Sequence, residues 1–294
     1  MKKVMLVLLM VMVIGCGNLI PRYYWEVSTS VGGPNWTQDN KVCFILSEIH
    51  SRFREDAWGT SLLEQYANAY MYEINADGTG ISLICTVYVH QNPPTEPIST
   101  SSAGEWVVAC VGTREIYLLK RDGSDIKVIG RGLHPDFSPD ASRIVYEKPD
   151  SGIWIMNRDG SNNHCIVPDP DAKYPAWSPD GGRIAFISDS LFICDTSGNL
   201  LLTYGVVRVR TSDWGPIDTN AISLSYDTPG SGANIIIVYL STDKIDTLDI
   251  ISGNGSYWSP NGTKFIGYDG SWFVINRVGT NKWYLKDKIE GGEQ

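Results

Sequence analysis

Pro175-Ala176-Trp177-Ser178-Pro179-Asp180-Gly181-Gly182-Arg183-Ile184-Ala185-Phe186 places apolar residues on both sides of a tight turn. In Ser-Pro-Asp-Gly the proline fixes φ at the first corner and the aspartate bonds nearby backbone. The glycine then takes the conformation needed to leave the turn. The apolar flanks therefore read as two antiparallel strands. The stretch recurs as Asp136-Phe137-Ser138-Pro139-Asp140-Ala141-Ser142-Arg143-Ile144-Val145-Tyr146 and as Tyr257-Trp258-Ser259-Pro260-Asn261-Gly262-Thr263-Lys264-Phe265-Ile266. Weaker copies begin at Trp36-Thr37-Gln38-Asp39-Asn40 and Trp214-Gly215-Pro216, and the weakest runs from Thr100 through Gly104 into Trp106-Val107-Val108.

With the Trp position as marker, the units stand at 36, 100, 137, 177, 214 and 258, with intervals of 64, 37, 40, 37 and 44. All but the first lie near ~40 residues, the spacing of propeller blades. A third strand follows in each unit, as at residues 152–157, and ends in a second turn, Arg158-Asp159-Gly160-Ser161-Asn162. Asp77-Gly78, Asp122-Gly123 and Asp195-Thr196-Ser197-Gly198 occupy the same place elsewhere, so these aspartates read as hairpin residues. A fourth strand, such as residues 199–204, completes the unit. The expected fold is all-β, a six-bladed β-propeller of four-stranded antiparallel blades, whose closure removes exposed sheet edges. Blades fall at about 32–95, 96–132, 133–172, 173–209, 210–252 and 253–294.

Composition agrees. Ten Trp, fifteen Tyr and seven Phe stand beside 29 Gly and 15 Pro, a mixture of strand formers and turn formers that excludes long helical bundles. A net charge of −9 argues against a nucleic-acid binder, which needs a basic face.

The pattern Pro-x-Trp-Ser-Pro-Asp-Gly, an Ile-Ala-Phe strand and a later Asp-Gly turn resembles the TolB-type (WD-repeat-like) propeller repeat, from about residue 32 onward. The match is specific in units three, four and six and degraded in the others. TolB carries an additional α/β domain before its propeller that finds no room here. The resemblance therefore implies the fold and, by analogy, peptide docking at the channel mouth.

The first residues read as an export signal. Met1-Lys2-Lys3 precedes an apolar run over residues 4–14, shorter than the roughly 20 residues of a spanning helix. Val13-Ile14-Gly15-Cys16 resembles the lipobox of bacterial lipoproteins, which implies a signal peptide over 1–15, cleavage before Cys16 and lipidation of that cysteine. Gly17 in place of Asp favours the outer membrane within that family. The protein is thus expected in the cell envelope, periplasm-facing and held to its membrane by lipid. Residues 16–31 read as a tether and closing strand near the last blade, and residues 282–286 as the last blade's fourth strand. The five remaining cysteines sit in apolar strand-like runs and read as small buried hydrophobes, with one disulfide left open.

The long first interval holds about 25 extra residues, placed between the second and third strands of blade one at roughly 48–68. This insertion carries His50, Arg52, Arg54, Glu55, Asp56 and Trp58 and is the candidate partner-binding surface. His134 and Asp136, at the innermost strand of blade three, are the candidates facing the channel mouth. The four histidines show no metal-ligand spacing, and no GxSxG elbow or other catalytic motif appears, so neither cofactor nor metal is expected. The expected function is a non-catalytic scaffold that binds an envelope protein or peptide. The alternatives are a small-molecule or glycan binder, which needs aromatics exposed around the channel, and an enzyme with a cluster of His and carboxylates at the mouth.

Overall fold

The computed structural model describes residues 22–56, 59–87, 99–111, 114–205, 209–215, 221–228, 232–240, 244–248, 254–277 and 279–291. The strands group into six four-stranded antiparallel sheets, each made of four consecutive strands. Blade 1 holds β1 (Arg22–Trp36), β2 (Lys41–Asp56), β3 (Gly59–Asn75) and β4 (Ser82–Val87). Blade 2 holds β5 (Ser99–Ala103), β6 (Trp106–Val111), β7 (Glu115–Lys120) and β8 (Ile126–Arg131). Blade 3 holds β9 (Leu133–Phe137), β10 (Arg143–Lys148), β11 (Gly152–Asn157) and β12 (His164–Val167). Blade 4 holds β13 (Lys173–Trp177), β14 (Arg183–Ile187), β15 (Leu191–Asp195) and β16 (Leu200–Tyr204). Blade 5 holds β17 (Val209–Trp214), β18 (Ala221–Thr228), β19 (Gly232–Tyr239) and β20 (Lys244–Leu248). Blade 6 holds β21 (Asn254–Trp258), β22 (Lys264–Tyr268), β23 (Trp272–Asn276) and β24 (Trp283–Tyr284), followed by helix α1 (Leu285–Gly291).

The first strand of each blade touches that of the next, from β1 round to β21 and back to β1, so the six sheets form a closed ring. The core is divided accordingly. Each of six apolar clusters lies between two neighbouring blades; the one between blades 4 and 5 joins Ala185, Ile187 and Leu191 to Trp214, Ile222 and Leu224. Burying one such Leu or Ile contributes about 1.5–3 kcal/mol, so every blade depends on both neighbours.

The turn motif performs the packing its residues suggest. In blade 4 the Ser178 hydroxyl donates to Asp180 Oδ1 and accepts the Arg183 N–H at 2.9 Å, while Asp180 Oδ1 accepts the Gly182 N–H. In blades 1, 3, 4 and 6 the fourth residue after the marker has positive φ: Asn40, Ala141, Gly181 and Gly262, at 64°, 56°, 71° and 66°. The arginine that ends the turn crosses to the next blade. Arg143 lies over Trp177 and Arg183 over Trp214, each 4.8 Å from the ring centre. The Asp-Gly aspartates act as hairpin residues, with Asp77, Asp122 and Asp159 each accepting from the residue two positions on.

Three details differ from the sequence reading. The marker of blade 2 is Ser102 rather than Thr100, because Ser101 accepts the Phe137 N–H as Asp136 accepts that of Trp177. With no aromatic at the marker, the register there is hidden in sequence. Residues 22–31 do not close the ring beside the last blade: Arg22 pairs with Glu55 and Val31 with Leu46, so they are the outer half of β1. Nor is the insertion at 48–68 an irregular loop. It lengthens β2 and β3 to 16 and 17 residues, against six in β10 of blade 3 and five in β14 of blade 4, forming with β1 a three-stranded arm. From Ile49 to Leu62 polar and apolar residues do not alternate, so these lengthened strands carry no period-two signal in the sequence.

The ring closes by packing rather than strand exchange. Blade 1 and blade 6 share a cluster of Trp36, Phe44, Ile74, Ile266, Val274 and Leu285. Trp36 Nε1 donates to the Tyr257 carbonyl at 3.0 Å and Lys264 Nζ to the Ala76 carbonyl at 2.6 Å. The last blade's fourth strand is the short β24, within the stretch expected for it. The five described cysteines are free thiols; burial pushes Cys43 and Cys85 up to about 11 and Cys194 to about 12, which leaves them unreactive.

Candidate functional site at the channel mouth

All inner strands begin on one side of the ring, and antiparallel pairing puts the β2–β3 turn on that same side. The Ser-Pro-Asp-Gly and Asp-Gly turns lie on the other. At the beginning side the inner strands are interrupted: the pairing register shifts between Gly32 and Asn35, between Lys173 and Ala176, between Asn254 and Tyr257, and opposite Val145–Glu147 in blade 3. Such bulges re-aim side chains. The residue three positions before the marker has positive φ in three blades: Gly33 at 58°, His134 at 48° and Tyr174 at 53°. Glycine takes that conformation without strain; a histidine and a tyrosine do not, and strained backbone concentrates at functional sites.

The strained pair is held from below. Glu147, buried on β10, accepts from His134 Nδ1 at 3.0 Å and from the Tyr174 N–H at 3.4 Å. A carboxylate only accepts, so this contact fixes the proton on Nδ1 when the ring is neutral. The His134 and Tyr174 rings meet at 4.4 Å between centres. One buried carboxylate thus positions both residues.

These side chains open onto a cavity of about 40 Å³ lined by Asn35, Thr100, His134, Asp136, Tyr174, Ser212, Asp213 and Tyr257, with Pro135, Pro175 and Ala176 completing the wall. Asp136 accepts from the Ser101 hydroxyl at 2.6 Å and the Trp177 N–H at 2.7 Å. Asp213 accepts the Trp258 N–H at 2.8 Å. Burial pushes the Asp136 carboxyl up to about 6. Burial, reinforced by the charge of Asp136, pushes Asp213 up to about 8. Burial and then the Asp213 charge also raise Tyr257. Of the two carboxyls Asp213 holds its proton the more firmly, and the hydroxyls of Thr100, Ser212, Tyr174 and Tyr257 can donate as well as accept.

The two aspartates also join blades. Where the residue before the marker is Ala176 or Tyr257, the next blade's indole donates to its carbonyl: Trp214 Nε1 to Ala176 at 3.1 Å and Trp36 Nε1 to Tyr257 at 3.0 Å. Where that residue is Asp136 or Asp213, the carboxylate takes the backbone N–H instead, and the indole N–H groups of Trp177 and Trp258 have no hydrogen-bond partner among the described residues.

His134 and Asp136 of the candidate set are thus brought together at the mouth. His50, Arg52 and Arg54 lie together on one face of the arm and do not line the cavity. On that face His50 stacks on Tyr66 at 4.6 Å and sits 3.6 Å from Glu48, while Arg52 reaches Glu64 at 3.8 Å. Glu55 stands at the arm's end opposite Arg22. Asp56 pairs with Gly59 in the backbone, whereas Trp58 and Cys16 lie outside the described residues. Sequence reading missed Glu147, Tyr174, Asp213 and Tyr257. For the last three the signal was the repeat itself: Tyr174 stands where His134 does, and Asp213 and Tyr257 where Asp136 does. Among the described residues no three His, Cys, Asp or Glu are placed to hold a metal ion.

No family model matches the chain, and no curated protein does. Solved structures do. TolB from Acinetobacter baumannii matches with a TM-score of 0.58 at 14% identity, over 88% of this chain and 78% of that one. A putative TolB from Agrobacterium tumefaciens matches with a TM-score of 0.60 at 17% identity, over 74% of this chain and 87% of that one. An oligogalacturonate lyase from Vibrio parahaemolyticus matches with a TM-score of 0.50 at 12% identity, over 87% and 96%. At these identities the likeness is one of fold, shared by proteins of different activity. Ring, repeat and likeness together establish that this chain folds as a TolB-like six-bladed β-propeller.

Proposed function

We propose that the protein is a non-catalytic binding scaffold of the bacterial cell envelope, tethered to its membrane through Cys16, and that it receives a segment of a protein or peptide at the channel mouth. The size of the cavity carries this reading. At about 40 Å³ it admits one or two waters, or the tip of one side chain, whereas small-molecule pockets run to ~300–1,000 Å³. A sugar or metabolite does not fit inside, so the ligand is the end of something larger resting on the rim. The rim offers His134, Tyr174 and Tyr257 as flat contacts and Asp136 and Asp213 as acceptors. The group that fits is an N–H donor or a cation, such as a lysine side chain or a chain amino terminus. Preorganisation by Glu147 reduces what binding must spend on ordering the rim.

The test is co-purification from gently solubilised membranes. A protein that accompanies the wild type and Asp159→Ala but is lost from Tyr174→Ala supports docking at the mouth. The same companions with all three proteins, or none with any, would remove the mouth as the docking site.

A further inference from the structure

The arm carries half of the large hydrophobic side chains that the described residues expose: Tyr23, Trp25, Val27, Leu62, Leu63 and Tyr66. Tyr23 is 53% exposed, Leu62 52% and Leu63 49%. Extending about ten residues beyond the strands of other blades, at ~3.3 Å each, the arm reaches about 30 Å from the mouth side. Among the described residues both of its edges are open, since β1 is an edge strand of its sheet and β4 pairs with β3 only from Ala69 onward.

The chain's direction says what this end meets. Arg22 pairs with Glu55, so the chain enters the described structure at the arm's far end and not at the ring. Cys16 precedes Arg22 by six residues in the sequence, a reach of at most ~20 Å. A lipid chain on Cys16 therefore brings the arm's tip to the bilayer first. We propose that the tip, through Tyr23, Trp25, Leu62 and Leu63, seats in the headgroup layer of the membrane that holds the tether. The ring then stands off the surface with its mouth facing the bilayer. This inference rests on the tethered reading above.

Charge identifies the kind of surface. Glu26, Glu48, Glu55, Asp56 and Glu64 outnumber Arg22, Arg52 and Arg54 on the arm, and Arg52 is engaged by Glu64. Attraction to anionic lipid is therefore not the driving force. Tyrosine and tryptophan, each with an apolar body and a polar tip, suit the interface of zwitterionic lipid. Insertion has to be shallow, because the open strand edges need water or headgroups for their N–H and C=O groups.

The experiment uses the full chain in bacterial cells, with a diazirine amino acid in place of Leu62 or, as control, of Leu201, an equally exposed leucine on β16. Mass spectrometry of the N-terminal peptide reports acylation of Cys16 in the same samples. The expected result is a phospholipid adduct from Leu62 alone, undiminished when membranes are irradiated at high salt. A protein adduct from Leu62, a second copy of this chain included, would overturn the proposal, as would equal lipid labelling from both positions or none from either. An acylated Cys16 without a lipid adduct leaves the tether standing and removes the arm's seat. A lipid adduct on an unacylated chain keeps the arm's contact and removes the tether.

Discussion

Blade 4 and blade 1 share one topology and differ in how far their strands run. In blade 4 each strand has five residues, and the repeat's features serve the ring: Trp177 is 5% exposed, Arg183 crosses to Trp214, and Ser178 and Asp180 close the turn. In blade 1 the lower halves of β1, β2 and β3 do the same, with Trp36, Phe44 and Ile74 buried against blade 6. The upper halves contribute no side chain to the core between blades 1 and 6 beyond Val31. The repeat is therefore a packing unit with a fixed length, and strand beyond that length serves something outside the ring. The mouth teaches the complementary lesson, because there the packing unit itself is strained to present His134 and Tyr174.

The contrast can be broken by substitution. The largest effect is expected in the ring: Trp177→Ala should cost about 3–5 kcal/mol, read by denaturant unfolding. A loss below ~1 kcal/mol would place that indole outside the core. Next comes the Asp-Gly-type turn of blade 4, where Gly198 has φ of 88° and an added Cβ would meet the Ile166 carbonyl oxygen of blade 3 at 1.9 Å. Gly198→Ala should lower stability by about 1–3 kcal/mol, and an unchanged midpoint would mean that blades 3 and 4 approach less closely than described.

A smaller effect, dependent on pH, is expected at the mouth. The folded state holds Asp213 at about 8, above its value of 3.8 in free solution. The stability that its protonated form provides is complete below ~4 and is lost as pH rises through about 8. Asp213→Asn should therefore raise the melting temperature at pH 9 and change it little at pH 4. A destabilised variant at pH 9 would contradict the burial of that carboxyl. In the opposite direction, Ala141 occupies with φ of 56° the turn position that Gly181 and Gly262 hold in blades 4 and 6. Ala141→Gly should gain about 0.5–1 kcal/mol by relieving that strain. The smallest effect belongs to the arm: Tyr23→Ser combined with Leu62→Ser should stay within ~0.5 kcal/mol, since both side chains are exposed.

The ring was legible because its signals are local. A turn such as Ser178-Pro179-Asp180-Gly181 declares itself within four residues, and six copies at a common spacing imply closure. Blade 2 was read two residues out of register because Ser102 has no aromatic ring to mark it. The mouth was legible only at His134 and Asp136, for a different reason. Its residues come from all six blades and converge only when the ring closes, so Glu147, one strand outward, carries no sign of its role. The arm's length shows in the 64-residue interval, but residues 49–62 lack the polar–apolar alternation of a half-buried strand, so its form does not.

The account stands or falls on the mouth as the place where a partner docks. A photoreactive amino acid in place of Tyr174, with Asp159 on the opposite side of the ring as control, tests this in intact cells. A discrete protein adduct from position 174, absent from 159 and lost when Asp136→Asn is added, is the result predicted. Equal labelling from both positions, or an adduct from 159 alone, would contradict it.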